Sequence, residues 1–157
     1  MLIFMVQKLS IRQRENKMLY FAYGSNLDVL QMQHRCPKAE PLGAAYFPHW
    51  KLVFRGVADI EPDDDAMLPV GIWDVTDECL IALDRYEGVS SGLYRRVFIN
   101  GMLTYRMNNN GISAPANGYF NCIARGYDDF GLDKSYLFDA RHDAVKDHYK
   151  RYSFSAA

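Results

Sequence analysis

The chain has 157 residues, of which 49% are hydrophobic and 24% are charged, and its formal net charge is −1 at pH 7. These values are typical of one globular domain and exclude an intrinsically disordered chain. A net charge so close to zero gives no general electrostatic attraction to nucleic acid or to an anionic membrane, so we expect neither as a partner.

The cysteines are three in number and widely spaced, at Cys36, Cys79 and Cys122. This pattern favours reduced thiols in a cytoplasmic protein over a disulfide framework. The sequence contains no CxxC or HExxH motif and no cluster of histidine and cysteine with ligand spacing. We therefore expect no bound metal.

Residues 1–17 combine a short apolar stretch with a polar stretch whose charges are mostly basic. A secretory signal has its basic residues before the apolar stretch, and a membrane-spanning helix needs about 20 apolar residues. We interpret residues 1–17 as an N-terminal extension or a loosely attached arm. Residues 18–157 are then predicted to form a single domain.

Residues 20–27 read YFAYGSNL, which predicts a strand that ends abruptly in a turn. Gly24 permits a positive φ or the close approach of a ligand, and Ser25 or Asn26 can cap a following helix. The main-chain N–H groups of such a turn can hold a carboxylate or a developing oxyanion. An ordinary capped turn explains the same residues, so the turn alone does not establish a ligand site.

The next segments predict a helix followed by strands. Residues 28–35 have helical character, and Pro37 is expected to end the helix. The acidic run at residues 61–65, EPDDD, lacks the alternating ligands and the glycine of a calcium loop, so it predicts a solvated turn. The strands are predicted at residues 46–54, 57–60 and 67–75.

Thr76 is a good N-cap, and Gly88 occupies the usual C-terminal glycine position of a short helix between them. The sequence LDRYEG at residues 83–88 places Glu87 at the end of that helix. Nearby backbone carbonyls and an enclosed site would both raise the pKa of this carboxyl group toward the range of a general base. A capping or surface glutamate is the alternative interpretation.

Residues 94–99 and 102–107 flank Asn100-Gly101, a strong signal for a two-residue hairpin. Residues 108–117 predict a loop, and the apolar spacing from Asp133 onward predicts an amphipathic C-terminal helix. Hairpin-connected strands with inserted, rather than alternating, helices indicate an α+β fold and not a doubly wound sheet.

Four motifs occur in the order seen in γ-glutamylcyclotransferases: YFAYGSNL, RCP at residues 35–37, LDRYEG, and SGLY at residues 91–94. From about residue 18 to residue 133 the chain resembles this superfamily, which also includes γ-glutamylamine cyclotransferases and AIG2-like proteins. The resemblance implies a small mixed, mostly antiparallel β-barrel with flanking helices, and neither a metal nor a cofactor. The γ-glutamylamine branch resembles YGTL at the turn, so Ser25 and Asn26 favour the first branch.

The resemblance also implies functional residues. Glu87 matches the catalytic acid/base, while the YGSN turn and two tyrosines match substrate-binding positions. The implied substrate-binding residues are Tyr23, Gly24, Ser25, Asn26, Tyr94 and Tyr119.

The implied reaction is the intramolecular cyclisation of a small-molecule γ-glutamyl amide. The α-amine of the substrate attacks its own γ-carbonyl, which gives 5-oxoproline and releases an amine or amino acid. Glu87 would accept and return the proton, and the main-chain N–H groups of the turn would stabilise the carbonyl oxygen.

Two alternatives remain beside this interpretation. One makes Ser25 or Cys36 a nucleophile partnered by His34, although neither lies in a GxSxG elbow. The other is a non-catalytic binding or sensor protein whose cavity holds a small γ-glutamyl-like or acidic ligand. Glu87 favours turnover, because binding an α-ammonium group does not require this particular carboxylate.

Overall fold

The computed structural model describes residues 17–155, with side chains described as far as residue 150. The predicted N-terminal arm, apart from its last residue, lies outside the described residues. That last residue, Lys17, begins the first strand, and its ammonium nitrogen lies 3.6 Å from the carboxylate of Asp74.

Five strands form one sheet: β1 (Lys17–Ala22), β2 (Glu40–Arg55), β3 (Val57–Thr76), β4 (Tyr94–Ile99) and β5 (Met102–Met107). Their spatial order is β2-β3-β1-β5-β4. The β1–β3, β2–β3 and β4–β5 pairs are antiparallel, whereas β1 and β5 are parallel, with Tyr20 in register with Leu103. The predicted mixed, mostly antiparallel α+β fold is confirmed. The described sheet is open rather than closed, because its edge strands β2 and β4 do not pair with each other.

The described helices are α1 (Val29–Arg35), α2 (Asp77–Tyr86), α3 (Asn117–Phe130) and α4 (Ser135–Ser155), and a 3₁₀ turn covers Ser25–Leu27. Asp28, and not Ser25 or Asn26, caps α1, because its carboxylate accepts the Gln31 N–H at 3.3 Å. No described helix has the length and apolarity needed to cross a membrane.

The predicted N-cap at Thr76 and the predicted hairpin at Asn100-Gly101 are both confirmed. The Thr76 hydroxyl accepts the N–H of Cys79 at 3.3 Å and begins α2. Strands β4 and β5 have the predicted bounds, and Asn100 adopts φ 53° and Gly101 φ 74° between them. A two-residue turn with two positive φ angles matches the twist of the flanking strands.

The solvated turn predicted at residues 61–65 was wrong, because β3 continues through this acidic run. The run contains a bulge instead, in which residues 63–66 lie opposite the single residue His49 of β2. Glu61 and Pro62 stay in register with β2, and the Glu61 carboxylate accepts a hydrogen bond from the buried Arg55 guanidinium at 3.1 Å. Pairing with β2 therefore holds Glu61 and Pro62 in the strand, and the aspartates form the bulge, where the Asp63 carboxylate accepts the Asp65 N–H at 3.0 Å.

Helix α3 follows the predicted loop and was not itself predicted. Its residues Phe120, Ile123 and Tyr127 are buried at helical spacing, so a periodic signal is present. Gly118 and Gly126 weaken that signal, because glycine disfavours a helix by about 1 kcal/mol relative to alanine.

Gly126 lets α3 pack directly against the 3₁₀ turn. A Cβ atom built at Gly126 would lie 2.6 Å from the main-chain nitrogen of Asp28 and 2.5 Å from the main-chain carbon of Leu27. Because these neighbours are backbone atoms, they cannot move aside as a flexible side chain would. Helix α3 therefore fixes the turn that ends β1.

We expect Gly126→Ala to destabilise the protein by about 1–3 kcal/mol, because overpacking against backbone outweighs the gain in helix propensity. Gly118→Ala lies in the same helix, where a Cβ would meet nothing within 4 Å. It should leave stability unchanged or raise it by up to about 1 kcal/mol. Urea unfolding of both variants checks this, and equal stabilities would contradict the close contact.

Candidate active site

A cavity of about 310 Å³ lies between the sheet and the ends of α2 and α3. The sequence-predicted residues come from separate elements: the end of β1 and the 3₁₀ turn, the C-terminal cap of α2, the start of β4, and the first turn of α3. The structure brings all seven to this cavity, namely Tyr23, Gly24, Ser25, Asn26, Glu87, Tyr94 and Tyr119.

Gly24 is needed for close approach and not for a positive φ. Its φ is −120°, so the predicted option of a positive φ was wrong. A Cβ at this position would lie 3.1 Å from the Cβ of Ala58 and 3.4 Å from the hydroxyl of Tyr119. The main chain of the turn therefore passes closely beside two walls of the cavity.

The 3₁₀ turn begins at the cavity wall. The Leu27 N–H donates to the Gly24 carbonyl at 3.0 Å, which closes the turn. The N–H groups of Ser25 and Asn26, the first residues of the turn, have no acceptor inside it. Because Ser25 and Asn26 line the cavity, these N–H groups are candidate donors to a ligand.

Glu87 caps the C-terminus of α2, where its N–H donates to the Leu83 carbonyl at 2.8 Å. The chain then turns away at Gly88, which has φ 63°. Burial raises the pKa of Glu87 to about 7, opposed by the positive charge of Arg35 and by a hydrogen bond from Asn26. A carboxyl group with this pKa can both accept and donate a proton near neutral pH.

The side-chain amide of Asn26 connects Glu87 to its surroundings. Its nitrogen donates to Glu87 Oε1 at 3.3 Å and to the Tyr20 hydroxyl at 3.0 Å. Its oxygen accepts from Arg35 Nη1 at 2.5 Å. Asn26 is only 3% exposed, so these contacts occur largely out of water.

Tyr94 and Tyr119 bind the two main-chain polar groups of one residue, Ala58. The Tyr94 hydroxyl donates to the Ala58 carbonyl at 2.6 Å, and the Tyr119 hydroxyl accepts the Ala58 N–H at 2.9 Å. Burial raises the pKa of both phenols, so both are neutral at physiological pH. By hydrogen-bond accounting, Tyr119 retains its proton to donate to a ligand, and Tyr94 retains a lone pair to accept from one.

Sequence reasoning missed several cavity residues. Tyr20 lies within the YFAYGSNL motif, so its position could have been noticed. Tyr105 lies in β5 among core aromatics, and nothing in the sequence separates it from them. The further lining residues are Val57, Ala58, Tyr86, Leu93 and Thr104.

The alternative with a serine or cysteine nucleophile paired with His34 finds no support in the contacts, and the Ser25 hydroxyl accepts from Arg35 at 3.4 Å. His34 is exposed, and its Nδ1 lies 2.8 Å from the Leu30 carbonyl oxygen. Cys36 is 2% exposed, its Sγ lies 3.6 Å from the Cys79 carbonyl oxygen, and burial raises its pKa to about 12. The imidazole therefore does not activate this thiol.

All three cysteines are free thiols. Across the described part of the chain, no group of three or more His, Cys, Asp or Glu side chains has the arrangement of a metal site.

The chain is similar in sequence and fold to known proteins. A family model described as "Gamma-glutamyl cyclotransferase, AIG2-like" matches residues 20–120. The chain is 30% identical over 140 residues to gamma-glutamylcyclotransferase from Bos taurus, covering 75% of this chain and 74% of that protein. It is 30% identical over 145 residues to the Homo sapiens gamma-glutamylcyclotransferase, covering 78% and 76%.

A solved structure named gamma-glutamyl cyclotransferase superposes with a TM-score of 0.70 at 26% identity. The superposition covers 80% of this chain and 86% of that chain. The matched family segment contains every predicted site residue.

We expect Gly24→Val to weaken binding of 5-oxoproline far more than Ser25→Ala. A β-branched side chain at residue 24 would collide with Ala58 and Tyr119, whereas Ser25→Ala removes one hydroxyl that accepts from Arg35 at 3.4 Å. The losses should be at least about tenfold and a few-fold, respectively. Calorimetric titration measures both, with thermal melts as the control for folding. Equal binding by wild type and Gly24→Val would remove the turn from the site.

Proposed function

The chain belongs to the gamma-glutamyl cyclotransferase, AIG2-like family, and from this premise we propose that it cyclises a γ-glutamyl amide to 5-oxoproline. The second product is the released amine or amino acid. The observation that carries the proposal is the half-buried carboxyl group of Glu87, whose pKa is about 7, in the same cavity as the YGSN turn.

The substrate supplies its own nucleophile. Its α-amine attacks its γ-carbonyl carbon and forms the C–N bond of a five-membered lactam, while the γ-amide C–N bond breaks. A tethered, well-oriented nucleophile can lower the barrier by several kcal/mol, because little translational entropy remains to be lost. The main task of the cavity is then to hold the substrate in a folded conformation.

Glu87 supplies the proton transfers. Its ionised form takes a proton from the α-ammonium group, and the resulting carboxylic acid returns a proton to the departing nitrogen. The attacking nitrogen loses a second proton as the lactam forms, and the released amine takes up a proton and departs as an ammonium. A pKa of about 7 suits both steps at neutral pH, and general acid–base catalysis of this kind contributes about 10²–10⁴-fold. No serine or cysteine nucleophile is required.

Hydrogen-bond donors at the turn can stabilise the γ-carbonyl oxygen as it becomes negative. The N–H groups of Ser25 and Asn26, which lack an acceptor within the turn, can stabilise negative charge on the γ-carbonyl oxygen. The remaining proton of Tyr119 provides a donor beside Gly24, because a Cβ at Gly24 would lie 3.4 Å from that hydroxyl. Tyr94, whose hydroxyl is bound to the Ala58 carbonyl, can accept from the α-ammonium group.

The direct test is a panel of γ-glutamyl amino acids, peptides and amines incubated with the purified protein. Mass spectrometry detects 5-oxoproline above an enzyme-free blank, which corrects for spontaneous cyclisation. Binding of 5-oxoproline without turnover of any panel member would favour a non-catalytic binding or sensor protein over an enzyme.

We expect Glu87→Gln to lower turnover by at least about 10²-fold, because the amide keeps the shape of the side chain but cannot accept the proton. Substrate binding should persist. The control is Glu78→Gln, an exposed glutamate in the same helix that pairs with Lys38. Single-turnover assays of both variants decide the point, and a Glu87→Gln variant as fast as wild type contradicts the assigned base.

The raised pKa of Glu87 predicts two pH dependences. The wild-type kcat/KM should fall as pH drops through about 7, because protonation removes the base. As the pH rises from the unfolded pKa of about 4.3 to the folded pKa, ionisation of this half-buried group progressively lowers the stability of the fold. Above the folded pKa the full loss remains. Glu87→Gln should therefore match wild-type stability at low pH and exceed it above pH 7, by at most about 4 kcal/mol for a pKa raised from about 4.3 to about 7. Urea unfolding from pH 4 to 8 measures this difference, and a constant difference would contradict the raised pKa.

A further inference from the structure

Arg35 belongs to the RCP motif but does not line the cavity, and the proposed reaction gives it no role. We propose that Arg35 is a positioning residue for Glu87. It fixes the side-chain amide of Asn26 so that this amide donates to Glu87, and its positive charge keeps Glu87 ionised often enough to act as a base. The catalytic part of this inference rests on the proposed function, whereas the effect on Glu87 itself does not.

The orientation of the Asn26 amide follows from what each group can donate. A guanidinium has only donors, and Arg35 Nη1 lies 2.5 Å from Asn26 Oδ1. The amide oxygen therefore has to face Arg35, which turns the amide nitrogen toward Glu87 and Tyr20. The reversed amide would place its oxygen against the Glu87 carboxylate with no proton between them.

Arg35 is itself held by several contacts. Its guanidinium stacks on the ring of Tyr86, the last residue of α2, and also donates to the Ser25 hydroxyl at 3.4 Å. With the Gln31 amide turned so that its oxygen faces Arg35, the guanidinium donates to that oxygen as well. The side chain thus links the end of α1, the 3₁₀ turn and the end of α2, which are the elements that present Asn26 and Glu87.

Arg35 acts on Glu87 in two ways, by its charge at a distance and by orienting the Asn26 amide that lies between them, and not as a direct ion pair. A direct buried pair would hold the carboxyl pKa far below neutrality, and the base would then be too weak. The two opposing influences, burial and a cation one amide away, leave the pKa of Glu87 near neutrality.

The other titratable groups facing Glu87 are phenols. Burial raises the pKa of those that interact with Glu87, so they carry no charge near pH 7. Among the described side chains around this carboxyl group, Arg35 is thus the cation whose charge lowers its pKa. The phenols on the surrounding elements are Tyr20, Tyr23, Tyr86, Tyr94, Tyr105 and Tyr119.

The first experiment titrates Glu87 without using activity. The chain has five glutamates, at residues 15, 40, 61, 78 and 87, so carboxyl ¹³C NMR of glutamate-labelled protein is tractable, and Glu87→Gln assigns the signal. In Arg35→Met the titration midpoint of Glu87 should rise by about one pH unit or more, because the positive charge is lost. In Arg35→Lys it should rise by less, because lysine keeps the charge but lacks the planar set of donors of the guanidinium. The matched control is Arg85→Met, which removes an exposed cation two residues from Glu87 and should leave the midpoint in place.

The second experiment measures 5-oxoproline formation against pH. The acid limb of kcat/KM should move to higher pH in Arg35→Met by the same amount as the NMR midpoint. The loss of rate should be largest near pH 6 and shrink toward pH 9. A residue that only supports the fold would lower the rate by the same factor at every pH. In an Asn26→Ala background the effect of Arg35→Met should be smaller, because the amide that transmits it is gone.

The outcomes separate the two claims. If wild type releases no 5-oxoproline from any substrate, the proposed function fails, and the NMR titration still decides the role of Arg35. If the Glu87 midpoint is the same in wild type, Arg35→Met and Arg35→Lys, the positioning role is overturned. If Arg35→Met does not fold, Arg35→Lys decides alone: a raised midpoint supports the role, and an unchanged midpoint overturns it.

Discussion

The exclusion of water from the Glu87 carboxyl group is the constraint on which the rest of the site depends. A carboxylate in water has a pKa of about 4.3 and is a weak base, so the fold has to remove solvent without supplying a tight ion pair. Glu87 lies at the end of helix α2, and buried tyrosines of β1, β4 and β5, with the half-buried Tyr119 of α3, close the space around it. The polar contacts of Asn26 then limit how far desolvation can raise the pKa.

Features set by neighbouring residues were predictable from the sequence. The N-cap at Thr76, the hairpin at Asn100-Gly101 and the glycine after α2 each depend on the backbone preferences of a few adjacent residues. The candidate site was predictable for a different reason: its turn and its glutamate lie in motifs that resemble a known superfamily. Their meeting in one cavity follows from the fold and not from either motif alone.

Features set by distant residues were not predictable. The acidic run at residues 61–65 looks like a turn, but Glu61 and Pro62 pair with β2 and the following residues form a bulge within the same strand. Gly24 owes its identity to Ala58 and Tyr119, which are remote in sequence, and not to its own φ. Helix α3 was missed because Gly126, which makes its packing possible, is also the residue that weakens its helical signal.

The parallel contact between β1 and β5 divides the sheet into two antiparallel ribbons, and the cavity lies across their boundary. Tyr20, Val57 and Ala58 line it from one ribbon, together with residues 23–26 of the turn that follows β1, and residues 94, 104 and 105 line it from the other ribbon. Separation of β1 from β5 would destroy the ligand site. A ligand that contacts both ribbons therefore stabilises the pairing of these two strands by its binding free energy. Amide hydrogen exchange should then slow along β1 and β5 when the ligand binds, while the far end of the β2–β3 ribbon keeps its exchange rate. Exchange rates in the sheet would then measure whether the cavity is occupied.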